Sequence, residues 1–333
     1  MKNYFRNKKI LVTGGTGLIG TPLARKLKEM EAEVRIVSLD EESIAGDKFE
    51  FMKGDLCDKR VCAEAVRGAE IVFHLAGIKG GIGVAKSKAS SFLVKNILMD
   101  IQIMEAARIA GVKQFLYASS ICVYPPAEIF LEENAGKGLP HPSDKFGGMA
   151  KLIGEMQIEA YKLQYKLENF LIARPVNTYG PYDNFNSVSA LVIPSLILRI
   201  FSGEDPLVVW GDGSAVRDFI FSEDVADFLL LMVFKNAAGP YNVGSGKPVS
   251  IRDLTNTILN CAEKFVGKKI NIQWDATKEA GEKYRVASIE KAKNELGWMP
   301  KVALDSGILE TLKWYQQYKS ALPRRYSILS EGQ

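Results

Sequence analysis

A glycine-rich turn near the start of the chain constrains the fold more than any other feature. Thr13-Gly14-Gly15-Thr16-Gly17-Leu18-Ile19-Gly20 lies between an apolar strand, Ile10-Leu11-Val12, and an amphipathic helical pattern over residues 18–30. Glycines let the backbone turn tightly and approach a pyrophosphate closely. The N-terminus of the following helix offers that anion unpaired N–H groups and a partial positive charge. The strand–turn–helix context therefore predicts a dinucleotide-binding βαβ unit.

Short apolar runs alternate with helical patterns through the first half of the chain. Strands are predicted at residues 10–12, 34–37, 49–52, 71–73, 115–117 and 170–172, and helices at 18–30, 94–110 and 151–165. Strands that alternate with helices form right-handed βαβ units. We therefore predict an α/β fold with a Rossmann-type, doubly wound parallel sheet.

The pattern changes after Arg174, where turn-rich loops separate shorter elements. Helices are predicted at residues 188–201 and from Ser222 to just before Asn236, and Ser250 with Asp253 has the spacing of a capping box. We predict a nucleotide-binding domain over residues 1–175, to which strands and a helix near 217–245 return. Residues 176–333 are predicted to form mainly a smaller C-terminal α/β substrate lobe.

Composition limits the partners and the location of the protein. The 333 residues carry a net charge of +4, which is small for this length and gives no reason to propose nucleic acid. The four cysteines lack metal-ligand spacing, so we expect reduced thiols and no metal. The basic N-terminus has no apolar signal region, and no apolar stretch is long enough to span a bilayer. A cytoplasmic protein without membrane contact is the expectation.

Acidic residues follow the second predicted strand. Ser38-Leu39-Asp40-Glu41-Glu42 lies about twenty residues past the glycine turn, where a carboxylate accepts hydrogen bonds from the adenosine ribose. Proteins that bind NADP usually have Arg or Lys there, and this stretch has none, so we predict NAD. Spacing leaves open whether Ser38 or Asp40 makes the contact. Asp55-Leu56 is predicted to lie beside the adenine, with a simple turn carboxylate as the alternative.

Further motifs extend through almost the whole chain. In chain order these are Phe73-His74-Leu75-Ala76-Gly77, Tyr117-Ala118-Ser119-Ser120-Ile121-Cys122-Val123-Tyr124, Arg174-Pro175-Val176-Asn177-Thr178-Tyr179-Gly180-Pro181, Trp210-Gly211-Asp212-Gly213 with Arg217-Asp218-Phe219, Asn242-Val243-Gly244-Ser245-Gly246 and Leu296-Gly297-Trp298. They resemble the fourth-strand motif, active-site serine strand, substrate loop, nucleotide-binding segment and C-terminal motifs of the extended short-chain dehydrogenase/reductase family, also called the NAD-dependent epimerase/dehydratase family. The resemblance implies that Leu75 and Ala76 contact the cofactor.

Two segments narrow the resemblance to the branch that handles GDP-sugars. Lys79-Gly80-Gly81-Ile82-Gly83 and Tyr179-Gly180-Pro181-Tyr182-Asp183-Asn184-Phe185 resemble segments of GDP-mannose 3,5-epimerases and GDP-fucose synthases. A GDP-sugar is therefore the expected substrate. Arg217 and Arg285 are expected to grip its pyrophosphate, because guanidinium binds phosphate bidentately; solvated surface arginines are the alternative. The implied substrate residues are Lys79, Gly80, Gly81, Asn177, Arg217 and Arg285.

The family resemblance also implies a chemical centre, and one part of it is missing. In the family a Ser holds the sugar hydroxyl, a Tyr removes its proton, and a Lys lowers the pKa of that Tyr and holds the nicotinamide ribose. Ser120 and Lys151 match the Ser and the Lys. The Tyr should lie four residues before the Lys, but Gly147 stands there. Phe146 and Met149 are the two nearby side chains that could fill the space, and neither can take a proton.

A second catalytic pair is also incomplete. The GDP-sugar relatives use a Cys on the serine strand with a basic partner, and Cys122 stands at the matching position. Leu191 and Val192 occupy the partner region and cannot exchange protons with carbon. We therefore expect Cys122 to be a packed strand residue with at most a weak catalytic role. His74, beside a buried strand, is expected to be structural.

These features predict an NAD-dependent dehydrogenase that oxidises a GDP-sugar at C4. The resemblance fits GDP-D-glycero-D-manno-heptose in capsular or other surface-polysaccharide synthesis. The alternatives are a GDP-sugar reductase or epimerase, and a catalytically degenerate NAD(H)-binding sensor. A homodimer is expected, because the helices near residues 96–110 and 151–165 have apolar residues on more than one face. These residues are Leu98, Ile101, Met104, Leu152 and Met156.

Overall fold

A seven-stranded sheet forms the centre of the first half of the chain in a computed structural model of the protein, which describes residues 1–278 and 281–321. The glycine-rich turn leads out of its first strand. The strands, numbered in chain order, are β1 (Lys9–Thr13), β2 (Glu33–Ser38), β3 (Glu50–Lys53), β4 (Ile71–His74), β5 (Gln114–Ala118), β6 (Phe170–Pro175), β7 (Asn177–Tyr179), β8 (Leu207–Trp210), β9 (Val216–Phe221), β10 (Tyr241–Val243), β11 (Pro248–Ser250), β12 (Ile272–Asp275) and β13 (Tyr284–Arg285).

Helices cover both faces of this sheet and build the second lobe. They are α1 (Lys2–Phe5), α2 (Gly20–Glu29), α3 (Glu42–Ala45), α4 (Lys59–Ala65), α5 (Ile82–Ser87), α6 (Ala89–Ile109), α7 (Lys145–Tyr165), α8 (Val192–Phe201), α9 (Ser222–Lys235), α10 (Ile251–Val266), α11 (Glu290–Leu296) and α12 (Leu304–Tyr318). Short 3-10 helices lie at Ile121–Val123, Glu132–Asn134 and Lys319–Ala321.

The strand order of the large sheet is β10-β6-β5-β4-β1-β2-β3, and every neighbouring pair is parallel. Along the chain the order reverses at β1, which lies between β2 and β4. In such sheets ligands bind outside the carboxyl ends of the strands at this switch point. The prediction of a Rossmann-type, doubly wound parallel sheet is therefore confirmed, and it places a binding crevice beside the glycine-rich turn.

Alternate residues of each central strand enter different cores, because successive strand side chains point to opposite faces. Ile10 and Val12 of β1 pack in one core with residues of α2, α9 and α11. Leu11 packs in the other core with residues of α4, α6 and α7. The near-continuous apolar runs of the sequence thus reflect strands that are buried on both faces.

A separate core holds the second lobe together. Strand β9 pairs with β7, β11 and β13, and β8 pairs with β12. Residues of α8, α10 and α12 pack on this part of the fold. Strand β10 and helix α9 instead pack with the large sheet. The boundary at residue 175 stays a prediction, and residues 322–333 of the predicted lobe lie outside the described ranges.

Two predicted helix starts need correction. Helix α7 begins at Lys145 and not at residue 151, and it includes Gly147 and Gly148. A side chain at Gly148 would clash with the carbonyl oxygen of Cys122, so glycine allows this helix to approach the serine strand. The helix predicted from residue 188 begins at Val192, because the Asn186 side chain accepts the N–H groups of Val188 and Ser189 and favours a turn there.

Other predicted boundaries shift by a few residues. The helices predicted from residues 18 and 94 begin at Gly20 and Ala89. The Ser250 hydroxyl does accept the N–H of Asp253 at the start of α10, so the predicted cap is confirmed. Within the described ranges, no helix is long and apolar enough to cross a membrane and no metal-binding group of side chains is found.

The two helices with the predicted dimer surface pack side by side, and most of the residues named for that surface lie on it. Leu98, Ile101 and Met156 are 41%, 39% and 59% exposed. Met104 is instead fully buried in a core, and Leu152 packs against one, so these two residues do not contribute to an exposed face. The exposed apolar stripe is therefore narrower than the sequence suggested.

Candidate active site

A cavity of about 300 Å³ lies at the carboxyl ends of the strands, beside the glycine-rich turn. Its wall comes from the ends of β1, β2, β3 and β4 and from a loop of the second lobe. Tyr182, Asp183, Asn184 and Ser189 are the polar residues that this loop contributes. All of the predicted cofactor residues except Lys151 line the cavity, namely Gly14, Thr16, Gly17, Leu18, Ile19, Ser38, Asp40, Asp55, Leu56, Leu75 and Ala76.

The backbone of the turn has the geometry that a dinucleotide pyrophosphate requires. Gly14 has a φ of +65°, in the left-handed region that favours glycine. A side chain at Gly20 would clash with the carbonyl oxygen of Gly14, so the helix and the turn approach closely only without one. Helix α2 starts directly after the turn and directs its N-terminus at this part of the cavity. The residues present therefore fit a bound nicotinamide dinucleotide.

Ser38 and Asp40, which the sequence left as alternatives, both line the cavity and are linked to each other. The Thr16 hydroxyl donates to Asp40 Oδ2 at 2.7 Å, and its oxygen lies 2.9 Å from Ser38 Oγ. Sequence reasoning missed Lys53, whose Nζ lies 2.6 Å from Glu41 Oε1 on the surface next to this site. Glu41 therefore has a lysine partner on the surface. Among Asp40, Glu41 and Glu42, Asp40 is the acid that lines the cavity.

Lys151 lies beside the end of the cavity formed by β4. Its Nζ is 3.8 Å from the position that a Cβ at Gly77 would occupy, and Gly77 lines the cavity. The same Nζ lies 3.4 Å from Asp100 Oδ2, and the Lys151 side chain is 14% exposed. Because α7 begins at Lys145, Lys151 lies in the second turn of this helix, with helical residues before and after it.

The backbone leaves room for a Cβ at position 147, where the tyrosine is missing. A Cβ at Gly147 would find only one neighbour within 4 Å, the Phe92 ring at 3.9 Å. Of the two residues predicted to fill the space, Phe146 is 41% exposed and Met149 is half-buried. Residues two apart on a helix do not share a face, so Met149 does not take the place of a side chain at 147.

Ser120 and Cys122 stand together at the end of β5. The Ser120 hydroxyl donates to Cys122 Sγ at 3.2 Å and accepts the Cys122 N–H. Arg285 Nη2 donates to Cys122 Sγ at 2.8 Å, and Arg285 also pairs with Asp144. The expectation that Cys122 is a packed strand residue is therefore wrong. It lies in a 3-10 turn, is partly exposed, and has a charged partner that sequence distance concealed.

Two arginines occupy opposite positions on neighbouring strands. Arg217 of β9 and Arg285 of β13 are direct partners in the parallel pairing. Burial, together with the charge of Arg285, lowers the pKa of Arg217 to about 10. Arg285 is only 13% exposed, and its Nε is buried without a hydrogen-bond partner among the described residues. The alternative of solvated surface arginines is therefore wrong, and the pair is suited to an anion.

A buried carboxyl accompanies this pair, and sequence reasoning missed it. Glu282 is 9% exposed, and its pKa is raised by burial although Arg285, His141 and Arg217 oppose the rise. It precedes β13 without any motif around it, so only the fold brings it near the arginines. The His141 ring, at 2.8 Å from the Ser143 hydroxyl, lies in the loop before α7.

The remaining predicted substrate residues are divided between two places. Lys79 and Gly80 line the cofactor cavity together with Leu191. Gly81 caps helix α5, and its N–H donates to the Ser189 carbonyl oxygen. Asn177 commits one amide hydrogen to the carbonyl oxygen of Asp218 at 2.8 Å. The backbone of Asn177 lies in the pairing of β7 with β9, so its amide group is the part predicted to meet a substrate.

Known proteins resemble this chain in sequence and in structure. The chain matches the NAD dependent epimerase/dehydratase family over residues 10–244 and belongs to that family of enzymes, so the predicted family and its nicotinamide cofactor are confirmed. It is 29% identical to a GDP-L-fucose synthase of Sinorhizobium fredii, over 91% of this chain and 94% of that protein. It is 30% identical to a GDP-mannose 3,5-epimerase of Arabidopsis thaliana, over 93% of this chain and 83% of that protein. A solved GDP-L-fucose synthetase from Naegleria fowleri bound to NADP has a TM-score of 0.80 at 26% identity, covering 95% of this chain and 96% of that one.

Proposed function

We propose that the protein is an NAD-dependent dehydrogenase that oxidises the C4 hydroxyl of a GDP-sugar. The observation that carries this proposal is the pair Arg217 and Arg285. The two residues are partly buried and directly opposite each other, and Arg285 contacts Cys122, which is bonded to Ser120. Two guanidinium groups in a partly buried site repel each other, and a diphosphate relieves that repulsion. The GDP-sugar names of the relatives support the choice of nucleotide.

The chain's own residues divide the work of such an oxidation. The bound cofactor supplies the hydride acceptor. Ser120 holds the sugar hydroxyl, and Lys151 holds the nicotinamide ribose from the cavity end. Gly147 lies on the face of α7 that carries Lys151, four residues along the helix. A water beside Gly147 is the proposed acceptor of the hydroxyl proton, which then passes to solvent.

The residues that line the cavity also support an oxidation that stops at the ketone and is not followed by epimerisation. Inversion at a carbon next to the ketone needs proton exchange from two faces of the sugar. Leu191 lines the cavity, and Val192 follows it at the start of α8, in the region where the resemblance implies a basic partner. Neither side chain exchanges protons, so oxidation without epimerisation is the favoured outcome. A GDP-manno-heptose remains the sugar that the resemblance suggests.

One contact favours a second candidate, a GDP-sugar epimerase. Arg285 Nη2 approaches Cys122 Sγ at 2.8 Å, which gives that thiol a cationic partner. A cysteine beside a guanidinium is a reactive type of site. In this alternative Cys122 would exchange a proton at C3 or C5 after oxidation at C4.

Incubation with a panel of nucleotide sugars tests the proposal. GDP-mannose, GDP-manno-heptose and UDP-glucose are added to the protein with NAD, and nicotinamide absorbance reports reduction. We expect reduction with a GDP-sugar only. Arg217→Gln should raise KM about tenfold to a hundredfold, since hydrogen bonds to charged groups are worth about 1.5–3 kcal/mol. The matched control Arg6→Gln alters an exposed arginine that pairs with Glu31 near the N-terminus and should leave KM unchanged.

Two results together would contradict the proposal. The protein would bind NAD without reducing it in the presence of any sugar nucleotide, and the two arginine variants would not differ from each other. That result would favour the sensor that the sequence left as an alternative.

A further inference from the structure

A buried carboxylate lies directly beneath Lys151. Asp100, in the middle of α6, is completely buried. Lys151 Nζ lies 3.5 Å and 3.4 Å from its two carboxylate oxygens. The Lys151 ammonium group also lies 4.6 Å from the centre of the Tyr117 ring. The lysine is thus held from below by a carboxylate and an aromatic face, while its tip reaches the cavity wall at Gly77.

The other partners of Asp100 are fixed in direction. Thr13 Oγ1 accepts the N–H groups of Leu75 and Ala76, so its own proton is directed to His74 Nδ1 at 2.7 Å. His74 Nε2 then carries a proton and donates to Asp100 Oδ1 at 2.8 Å. The two N–H groups occupy both lone pairs of the Thr13 hydroxyl oxygen. The hydroxyl therefore acts as the donor to His74, with its single proton.

Asp100 therefore receives hydrogen bonds from two neutral groups and one cation. Tyr117 donates its hydroxyl proton to Asp100 Oδ2 at 2.6 Å. Burial alone would raise the pKa of Asp100, but Lys151, His74 and Tyr117 together lower it. Burial lowers the pKa of His74, which keeps its ring neutral. The only charge that balances the carboxylate in these contacts is Lys151.

The network joins the structural elements that surround the cofactor cavity. Thr13 ends β1 directly before the glycine turn, and His74 ends β4 directly before Leu75 and Ala76, which line the cavity. Asp100 links both strands to the lysine on α7. A lysine side chain has four flexible carbons and loses substantial entropy when it is fixed. With glycine at 147, no tyrosine hydroxyl restrains it from the cavity side.

We propose that Asp100 is a positioning residue that fixes the Lys151 ammonium group toward the nicotinamide ribose and so replaces the restraint that a tyrosine would provide. This inference rests on the proposed contact of Lys151 with the cofactor, not on the identity of the sugar. The His74–Thr13 chain in turn fixes the orientation of the carboxylate. Asp100 is closed to solvent, so it acts by holding the lysine and not by carrying protons away.

A double-mutant cycle on cofactor binding tests the proposal without any sugar substrate. NAD and ADP are titrated against the native protein, Asp100→Asn, Lys151→Met and the double variant, by calorimetry. ADP keeps the adenine and pyrophosphate contacts but lacks the nicotinamide ribose, so it reports whether the glycine turn is intact. We expect Asp100→Asn and Lys151→Met each to weaken NAD binding about tenfold, with ADP binding unchanged. In the Lys151→Met background Asp100→Asn should have no further effect, because no ammonium group is left for the carboxylate to position.

Tyr117→Phe gives an independent arm in case the charge substitution does not fold. It keeps the aromatic ring under Lys151 and removes only the hydroxyl that binds Asp100. We expect a smaller loss of NAD affinity, about twofold to threefold, which also disappears in the Lys151→Met background.

Additive losses in the cycle, or equal losses for NAD and ADP, would overturn the positioning role and leave Asp100 as a structural residue. Failure of the proposed dehydrogenase function would instead appear as intact coupling in this cycle with no reduction of NAD by any GDP-sugar.

Discussion

Restoring a phenol at position 147 is expected to accelerate hydride transfer. Gly147 lies four residues before Lys151 on α7, so a side chain there shares the lysine's face of the helix. A Cβ at this position would have the Phe92 ring at 3.9 Å as its only close neighbour, which is ordinary van der Waals contact. The backbone at 147 therefore admits a Cβ without a clash, and the Gly147→Phe control reports whether the ring itself fits.

The size of the effect can be worked out from its parts. A positioned general base contributes about 10²–10⁴-fold, or about 3–5 kcal/mol. Ordering the tyrosine side chain costs about 1 kcal/mol. Replacing glycine inside a helix returns roughly 0.5–1 kcal/mol to the stability of the fold but does not change the barrier. We therefore expect an acceleration of about 2–4 kcal/mol, or roughly 30-fold to 10³-fold.

Single-turnover reduction of bound NAD by the GDP-sugar is the assay. Gly147→Phe is the matched control, because it adds the same ring without the hydroxyl, and it should not accelerate the reaction. Met149→Tyr places a phenol on a different face of the helix and should not either. If Gly147→Tyr is no faster than Gly147→Phe while both bind NAD normally, the space at 147 is not the proton exit. Unchanged rates in both Ser120→Ala and Lys151→Ala would place the chemical centre elsewhere.

Four further measurements check other parts of the site and the surface. NAD should bind at least about tenfold more tightly than NADP, since the Asp40 carboxylate that lines the cavity repels a 2′-phosphate. Asp40→Asn should reduce this difference in affinity. Tighter binding of NADP than of NAD by the native protein would refute the prediction. The protein should sediment as a dimer at micromolar concentration, and a double Leu98→Glu, Met156→Glu variant as a monomer, because both side chains are exposed on the α6–α7 face; a native monomer would contradict this. No solvent deuterium should enter C3 or C5 of the sugar, because Leu191 lines the cavity without an exchangeable proton; incorporation catalysed by the enzyme would favour the epimerase. The free energy of unfolding in urea should fall between about pH 7 and pH 5, by up to about 1.4 kcal/mol per pH unit. Unfolded His74 takes up a proton near its ordinary pKa of 6.5, whereas burial lowers the pKa of folded His74, so stability is lost as pH falls below 6.5. His74→Gln should remove this part of the pH dependence, and an unchanged slope in that variant would show that His74 does not cause it.

The parts of the structure that the sequence predicted well depend on local chemistry. The turn from Thr13 to Gly20 needs glycine at fixed positions, so its spacing alone identified the βαβ unit and the cavity wall. Residues close to strand ends, such as Asp40 and Asp55, also reached the cavity as expected. In a parallel sheet the carboxyl ends of all strands meet at one edge, so a correct set of strands places these residues together.

The parts that the sequence did not predict depend on contacts between distant segments. Arg285 reaches Cys122 across 163 positions, and no periodicity in either segment indicates that contact. Glu282 became a buried carboxyl only because β13 pairs with β9. The start of α7 was misplaced for a similar reason. Two glycines usually favour a break, but here one of them allows the helix to touch the turn that holds Cys122.

The glycine at 147 and the aspartate at 100 have connected consequences. A lysine that loses a tyrosine partner keeps its charge but loses one restraint on its long side chain. A carboxylate on the neighbouring helix supplies that restraint from the opposite side, since Asp100 contacts Lys151 from the core and not from the cavity. The carboxylate is tolerated in the core because His74 and Tyr117 satisfy its remaining lone pairs. In the proposed reaction, hydride transfer would depend on orientation by Lys151, while proton release would depend on the solvent that reaches the cavity.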